Sequence, residues 1–335
     1  MPGKQCNSSS SPVLSAVLVP VLALECIVGL VGNGFALFIF CFHIRPWKSN
    51  TIFLLCLVIA DFLLFINLPL RINYYVNGQI WKLGPCACKA NLFMLSTNRT
   101  ASIVFLTAIA LNRYLKVVWP HHSLSQVSAR RAAQVSAGLW VLILLMNVPL
   151  LCTEWEALHF SNSCISFTVN STGRSKAHNW HHIFSGVEMF LSLGIILFCT
   201  FSIIFSIRRR NLGKQAGARR AVLVLGVLVA VYLFCFLPSI IFAIASLLAF
   251  QMEKCDNLAL YTNLFQGSLA FIYLTSTLDP VLYCFSSPNF LRQSKMVLCK
   301  RGRLTGIKNN QEGDDSSSSK PNRQAARVDA GTLQD

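Results

Sequence analysis

A chain of 335 residues that is 54% hydrophobic and only 13% charged departs from soluble domains, where about 25% of residues are charged. A mean hydropathy of +0.53 excludes disorder over most of the length, and the 13 Cys are too scattered through apolar runs for a small disulfide scaffold. The net charge of +16 does not form the patch or stripe that nucleic acid requires; the basic residues sit in short clusters between apolar segments, so nucleic acid is not expected as a partner.

Seven stretches reach the roughly 20 apolar residues that cross a hydrocarbon core: 14–42, 51–77, 87–118, 131–152, 180–207, 220–250 and 258–285. They end at clear punctuation, such as His43-Ile44-Arg45-Pro46, Asn77-Gly78 and Arg208-Arg209-Arg210. The expected fold is an all-α membrane protein, a seven-transmembrane helix bundle with a short amphipathic eighth helix. Residues 1–13 read as an extracellular N-terminus, 14–285 as the bundle, 286–300 as the amphipathic eighth helix and 301–335 as a disordered cytoplasmic tail. Much of the first stretch could pass for a signal peptide, but its apolar run is too long and no basic segment precedes it.

Lys and Arg set the orientation. With the N-terminus outside, 21 of the 29 fall on the cytoplasmic face and six on the outer face; Arg71 and Arg99 lie inside spans. The outer face also carries the glycosylation sequons at Asn7 and Asn170, whereas a third, at Asn98, falls within span three and should stay unmodified. The expected location is the plasma membrane, in contact with its lipids.

Seven helices suit a ligand-gated receptor, a retinal-binding light protein or a transporter. A retinal Schiff base needs a Lys in the last span, and none occurs between 255 and 294. A transporter should show internal repeats and paired interrupted helices, which this chain lacks. An enzyme is not expected, because no zinc motif, nucleophile elbow or phosphate loop is present.

A charge near mid-membrane costs roughly 2.5–3.5 kcal/mol on insertion scales and marks a candidate functional site. Arg99 stands 14 residues before Arg113, ~21 Å up a helix, in the outer half of span three. Arg71 lies in the outer part of span two. Two Arg facing one cavity repel, so an anion between them would relieve both, and guanidinium forks bind carboxylates bidentately. Snorkelling, or pairing with Glu188, is the structural alternative. His181 and His182, adjacent on a helix, point in different directions and make a poor metal pair.

Several motifs recur as a set: Gly32-Asn33, Leu57-Val58-Ile59-Ala60-Asp61, Asn112-Arg113-Tyr114, Trp140, Cys235-Phe236-Leu237-Pro238 and Asp279-Pro280-Val281-Leu282-Tyr283. In this order and spacing, over about residues 14–300, they resemble the rhodopsin-like (class A) G-protein-coupled receptors. Within that family the chain is most similar to the hydroxycarboxylic acid and oxoeicosanoid receptor group. The runs Asn91 to Val118 and Leu278 to Leu291 look most like its oxoeicosanoid branch.

The resemblance implies a carboxylate ligand, a lipid metabolite such as 5-oxo-eicosatetraenoic acid, or alternatively a short hydroxycarboxylic acid such as lactate or hydroxybutyrate. It implies signalling through an inhibitory heterotrimeric G protein, with arrestin as a further partner. Arg99 would anchor the carboxylate, with Arg71 nearby and help from Tyr273, Ser166 and Phe167. Trp81-Lys82-Leu83-Gly84 fits the family's first-loop turn. Cys88 and Cys164 match the family's bridge from span three to the long outer loop, and Cys6 with Cys255 would tie the N-terminus to the third outer loop. Cys86 has no clear partner, Cys152 being one candidate. The remaining Cys within spans read as packing residues, and Cys299 as a palmitoylation site.

Asp61, Ser102 and Asp279 resemble the family's sodium pocket, hard oxygens that suit a hard cation; structural acids without a metal are the alternative. No other cofactor is implied. The switch and coupling residues are Asn112, Arg113, Tyr114, Phe236, Pro238, Pro280 and Tyr283, with Pro238 as the pivot of span six. Two positions depart from the pattern. Asn112 replaces the acid that usually neighbours the Arg, and Ser192 stands where span five usually carries Pro.

Overall fold

The computed structural model describes residues 11–152, 164, 176–210, 216–252 and 255–299. Every regular element among them is helical, and seven helices are long and apolar enough to cross a membrane. The membrane helices are α1 (Pro12–Phe42), α2 (Ser49–Val76), α3 (Gly84–Val118), α4 (Ala129–Asn147) and α5 (Lys176–Arg209). Next come α6, in segments Ala216–Val231, Tyr232–Phe236 and Leu237–Gln251, and α7 (Cys255–Ser286). Residues 288–299 are helical as well, where a short eighth helix was expected. The compact bundle unit ends at Leu291; the described residues of the second unit, 292–299, are all helical.

Local chemistry explains the helix ends. Ser11 caps α1, its hydroxyl accepting from Leu14 N at 3.3 Å, with Pro12 at the first helical position. Ser128 caps α4 in the same way through Arg131 N. Gly78 (φ 66°) turns the chain out of α2, and Gly84 (φ 78°) turns it into α3. Trp81, between them, is buried beside Tyr74 and donates its indole N–H to Gly84 O at 2.8 Å. The connection between α2 and α3 is therefore a folded turn.

Packing inside the bundle depends on close backbone approach. A Cβ on Gly29 would stand 2.1 Å from Phe65 Cζ, so α1 meets α2 there without room for a methyl group. At Gly32 it would stand 2.9 Å from Pro280 Cγ, which sets the α1–α7 contact. Buried amides then join the helices. Asn67 and Asn91 exchange hydrogen bonds across α2 and α3 at 2.8–3.4 Å. Asn33 reaches from α1 to Ser276 O at 2.8 Å.

α5 and α6 differ in the regularity of their backbones. The family's helix-five Pro is Ser192 here, and α5 runs on as an unbroken α-helix. In α6, Pro238 does not act alone. A π-helical turn, Tyr232–Phe236, precedes it and closes with Leu237 N–H on Tyr232 O. Pro at 238 cannot bond back and crowds the preceding turn; the wider π turn takes up that conflict. It also brings the Tyr232 hydroxyl onto Met189 O of α5, at 3.0 Å.

Candidate functional site

The outer half of the bundle gathers its charged side chains from four helices. Arg99 on α3 is half-buried and donates to the Ser185 hydroxyl of α5. Beside it, Thr100 donates to a Glu188 carboxylate oxygen at 3.3 Å. Glu188 is near enough to Arg99 for the charges to attract, and Tyr232 and Tyr273 face the same guanidinium from α6 and α7. Snorkelling is thus not the conformation of Arg99. Its Nε is buried and has no hydrogen-bond partner among the described residues.

Arg71, expected beside Arg99 at the carboxylate, lies within the bundle on α2. It is only 3% exposed. One guanidinium nitrogen donates to the backbone carbonyl of Cys164 at 2.5 Å, and the cation lies 5.5 Å from the Tyr74 ring centroid. Tyr273, 7% exposed, neighbours the same group. Cys164 is itself bonded to Cys88 at the top of α3, with Cα atoms 5.7 Å apart. The bridge and Arg71 together pin one residue of the long outer loop over α2 and α3. Tyr273 is the residue common to both Arg, since it faces each of them.

Of the other outer residues, Ser166, Phe167, Cys6, Asn7 and Asn170 lie outside the described residues, as do the side chains of Cys255, His181 and His182. Cys86 and Cys152 are both exposed free thiols and are not joined to each other. Glu25, which was not singled out in the sequence, is buried in α1 with one carboxylate oxygen unpartnered among the described residues, and it neighbours Tyr273. Ser185 and Thr100 were also missed; small hydroxyls in apolar runs carry no signal until the facing helix is known.

Deeper in the bundle, Asp61, Ser102 and Asp279 are at most 2% exposed. Tyr283 donates to Asp61 at 3.1 Å, and its oxygen is 3.2 Å from Asn33 Oδ1. Asp61 and Asp279 lie next to one another. One oxygen on each of Asp61, Ser102 and Asp279 is buried without a hydrogen-bond partner among the described residues. Two carboxylates and a hydroxyl with free lone pairs fit a small hard cation. Asn98 borders the cluster and donates to Ala60 O at 3.0 Å and Ser276 Oγ at 3.2 Å, a burial that no glycan could share.

At the inner end, Arg113 donates to the backbone carbonyl of Ser286, where α7 ends. Helix C-termini carry partial negative charge, so the end of α7 supplies part of what the missing acid at 112 does not. Asn112 instead approaches Asn50 at 3.5 Å, and Asn50 reaches Ser286 O at 3.4 Å. Tyr114 accepts from the Trp119 indole at 3.1 Å and packs on Phe198 of α5. Phe236 is fully buried against Tyr232. Cys299 is an exposed free thiol.

Residues 32–283 match the family described as "7 transmembrane receptor (rhodopsin family)". The chain belongs to that family. It is a multi-pass receptor of the cell surface, not an enzyme, and its partners are a small-molecule ligand and a G protein. Human oxoeicosanoid receptor 1 is 56% identical over 96% of this chain and 81% of the relative. Human hydroxycarboxylic acid receptor 3 is 41% identical over 92% and 80% respectively. The mouse 12-(S)-hydroxy-5,8,10,14-eicosatetraenoic acid receptor is 33% identical over 88% and 93%.

Proposed function

We propose that this receptor detects a lipid carboxylate of the oxoeicosanoid type from the outer face and signals through an inhibitory G protein. The observation that carries the reading is Arg99, a cation inside an apolar bundle whose nearest hydrogen-bonding partner is a neutral serine and whose Nε is unpartnered among the described residues. A ligand carboxylate would satisfy both the charge and the fork. Similarity to human oxoeicosanoid receptor 1 favours a long oxo-acid over the short acids named for the hydroxycarboxylic acid receptors. The excess of Lys and Arg on one face, 21 against six, supports a cytoplasmic C-terminus and an N-terminus outside. Asp61, Ser102 and Asp279 would hold sodium as an allosteric ion, and Arg113 would meet the G protein.

The test is a dose-response comparison of 5-oxo-eicosatetraenoic acid, its methyl ester, lactate and hydroxybutyrate in cells, on natural receptor and Arg99→Ala at matched surface expression. Losing one partner of a buried charge pair costs about 2–5 kcal/mol, roughly 30- to several-thousand-fold in affinity. The expected result is loss of the acid response, with the weak ester response little changed, and partial recovery in Arg99→Lys. An unchanged acid curve for Arg99→Ala removes the anchor; a response to the short acids alone replaces the lipid with the hydroxycarboxylic acid reading.

A further inference from the structure

Two adjacent positions of α3 grip α5. Arg99 donates to Ser185, and Thr100 donates to Glu188, one turn further along α5. The guanidinium therefore takes a hydroxyl while a carboxylate stands near enough to attract it. Each charged group keeps a buried atom without a hydrogen-bond partner among the described residues, Arg99 Nε and Glu188 Oε1. Glu188 is 8% exposed, too little for water to solvate its charge.

Among the described residues, the groups that face Glu188 are few. Arg99 acts on it from α3, and the neutral phenol of Tyr232 stands against it from α6. The short helix Val148–Leu150, which also packs on α5, brings no titratable side chain. Tyr273 of α7 faces Arg99, and Glu25 of α1 faces Tyr273. Among the described residues around Glu188, then, one cation balances one anion. A ligand carboxylate arriving at Arg99 makes two anions for one cation, and in a low-dielectric interior like charges cannot both stay ionised at ordinary cost.

We infer that Glu188 is the resident counter-anion of Arg99 and that an anionic ligand takes its place, Glu188 binding one proton from water as the ligand enters. The inference rests on Arg99 being the ligand anchor. One anion and one proton arrive together, so the charge of the site is unchanged; the one bond made is the O–H of the Glu188 carboxyl, and the one broken is that of the hydronium ion or buffer acid that gives up the proton. The complex holds one more proton than free receptor and free ligand, so affinity rises as pH falls, by up to about tenfold per pH unit. Glu188 thereby sets the affinity of the site as well as its acid dependence: it competes with every anion that reaches Arg99.

The experiment is equilibrium binding of labelled 5-oxo-eicosatetraenoic acid to membranes bearing the full-length receptor, between about pH 6 and about pH 8, where a carboxylate ligand stays ionised. Glu188→Gln imitates the protonated form; it should bind at least about tenfold more tightly near the upper pH and lose the slope. Glu188→Asp keeps the charge and should keep the slope, which separates charge from folding; surface expression is matched by an extracellular tag. A wild-type slope in Glu188→Gln, or weaker binding than wild type at equal expression, overturns the proposal. Arg99→Ala, run alongside, separates the two readings. If it binds normally the anchor itself is wrong; if it does not bind while Glu188→Gln keeps the slope, the anchor stands and the counter-anion falls.

Discussion

Replacing Arg71 by Met tests whether this side chain holds the outer loop in the absence of any ligand. The substitution removes the hydrogen bond to the Cys164 carbonyl and the contact with the Tyr74 ring. A hydrogen bond from a charged donor contributes about 1.5–3 kcal/mol and a desolvated cation–π contact up to about 2 kcal/mol, so about 2–5 kcal/mol is at stake. For a chain of this size that corresponds to a fall in apparent Tm on the order of 4–10 °C for purified receptor in detergent. The contact exists only because the bridge to Cys88 seats Cys164 over α2. In a Cys88→Ala/Cys164→Ala background, where the carbonyl remains but its seat is lost, Arg71→Met should cost less than half as much. The resulting coupling should exceed about 1 kcal/mol, as for residues that share a partner. Equal losses in both backgrounds refute the latch. So does a loss that appears only when ligand is present, which would return Arg71 to the role of a second carboxylate anchor.

Three further outcomes follow from the geometry. Gly29→Val should sharply lower surface expression, because its side chain meets Phe65 where a lone Cβ is already 2.1 Å away; pairing it with Phe65→Ala should restore part of it on a surface-tag assay. Asn112→Asp should lower basal G-protein activation in a nucleotide-exchange assay, since a neighbouring carboxylate adds a charged restraint on Arg113 beyond the Ser286 carbonyl; unchanged or raised basal exchange contradicts this. Exchanging sodium chloride for choline chloride at constant ionic strength should raise agonist affinity in natural receptor, as expected of an ion held by the unpartnered oxygens of Asp61, Ser102 and Asp279 in the agonist-free state. Asp279→Asn should blunt that shift, and a full shift in the variant would place the ion elsewhere.

The seven helices were legible because each exceeds the length that hydrocarbon demands and ends at polar punctuation; that signal survives without any knowledge of packing. Arg99 was legible for the same reason, a charge within an apolar run. Glu188 was in view as a pairing partner through its charge alone, but Ser185 was not, because it faces Arg99 only once the rotation of α5 about its own axis is fixed, and apolarity all round a helix leaves that angle open. The π turn at Tyr232–Phe236 was hidden for another reason. It inserts one residue into the turn without altering the apolar pattern, so only Pro238 hinted at it. Asn98 was read as an unused sequon, whereas it joins α3 to α2 and α7. Arg71 was read through its charge, which suggested an anion, while its acceptor is a peptide carbonyl that leaves no trace in residue type.

That last kind of partner has a consequence for how the gene can vary. Arg113, Arg71, Asn33 and Asn98 all donate to main-chain oxygens, those of Ser286, Cys164, Ser276 and Ala60. A carbonyl belongs to every amino acid, so exchanging the acceptor residue leaves the bond in place wherever its side chain has no second task. The donor side has no such freedom. In a saturation scan these contacts should therefore look one-sided, with Arg113 intolerant and position 286 open to many small residues. The restraint at the inner end of the bundle is then inherited through one codon, and the residue it grips can drift.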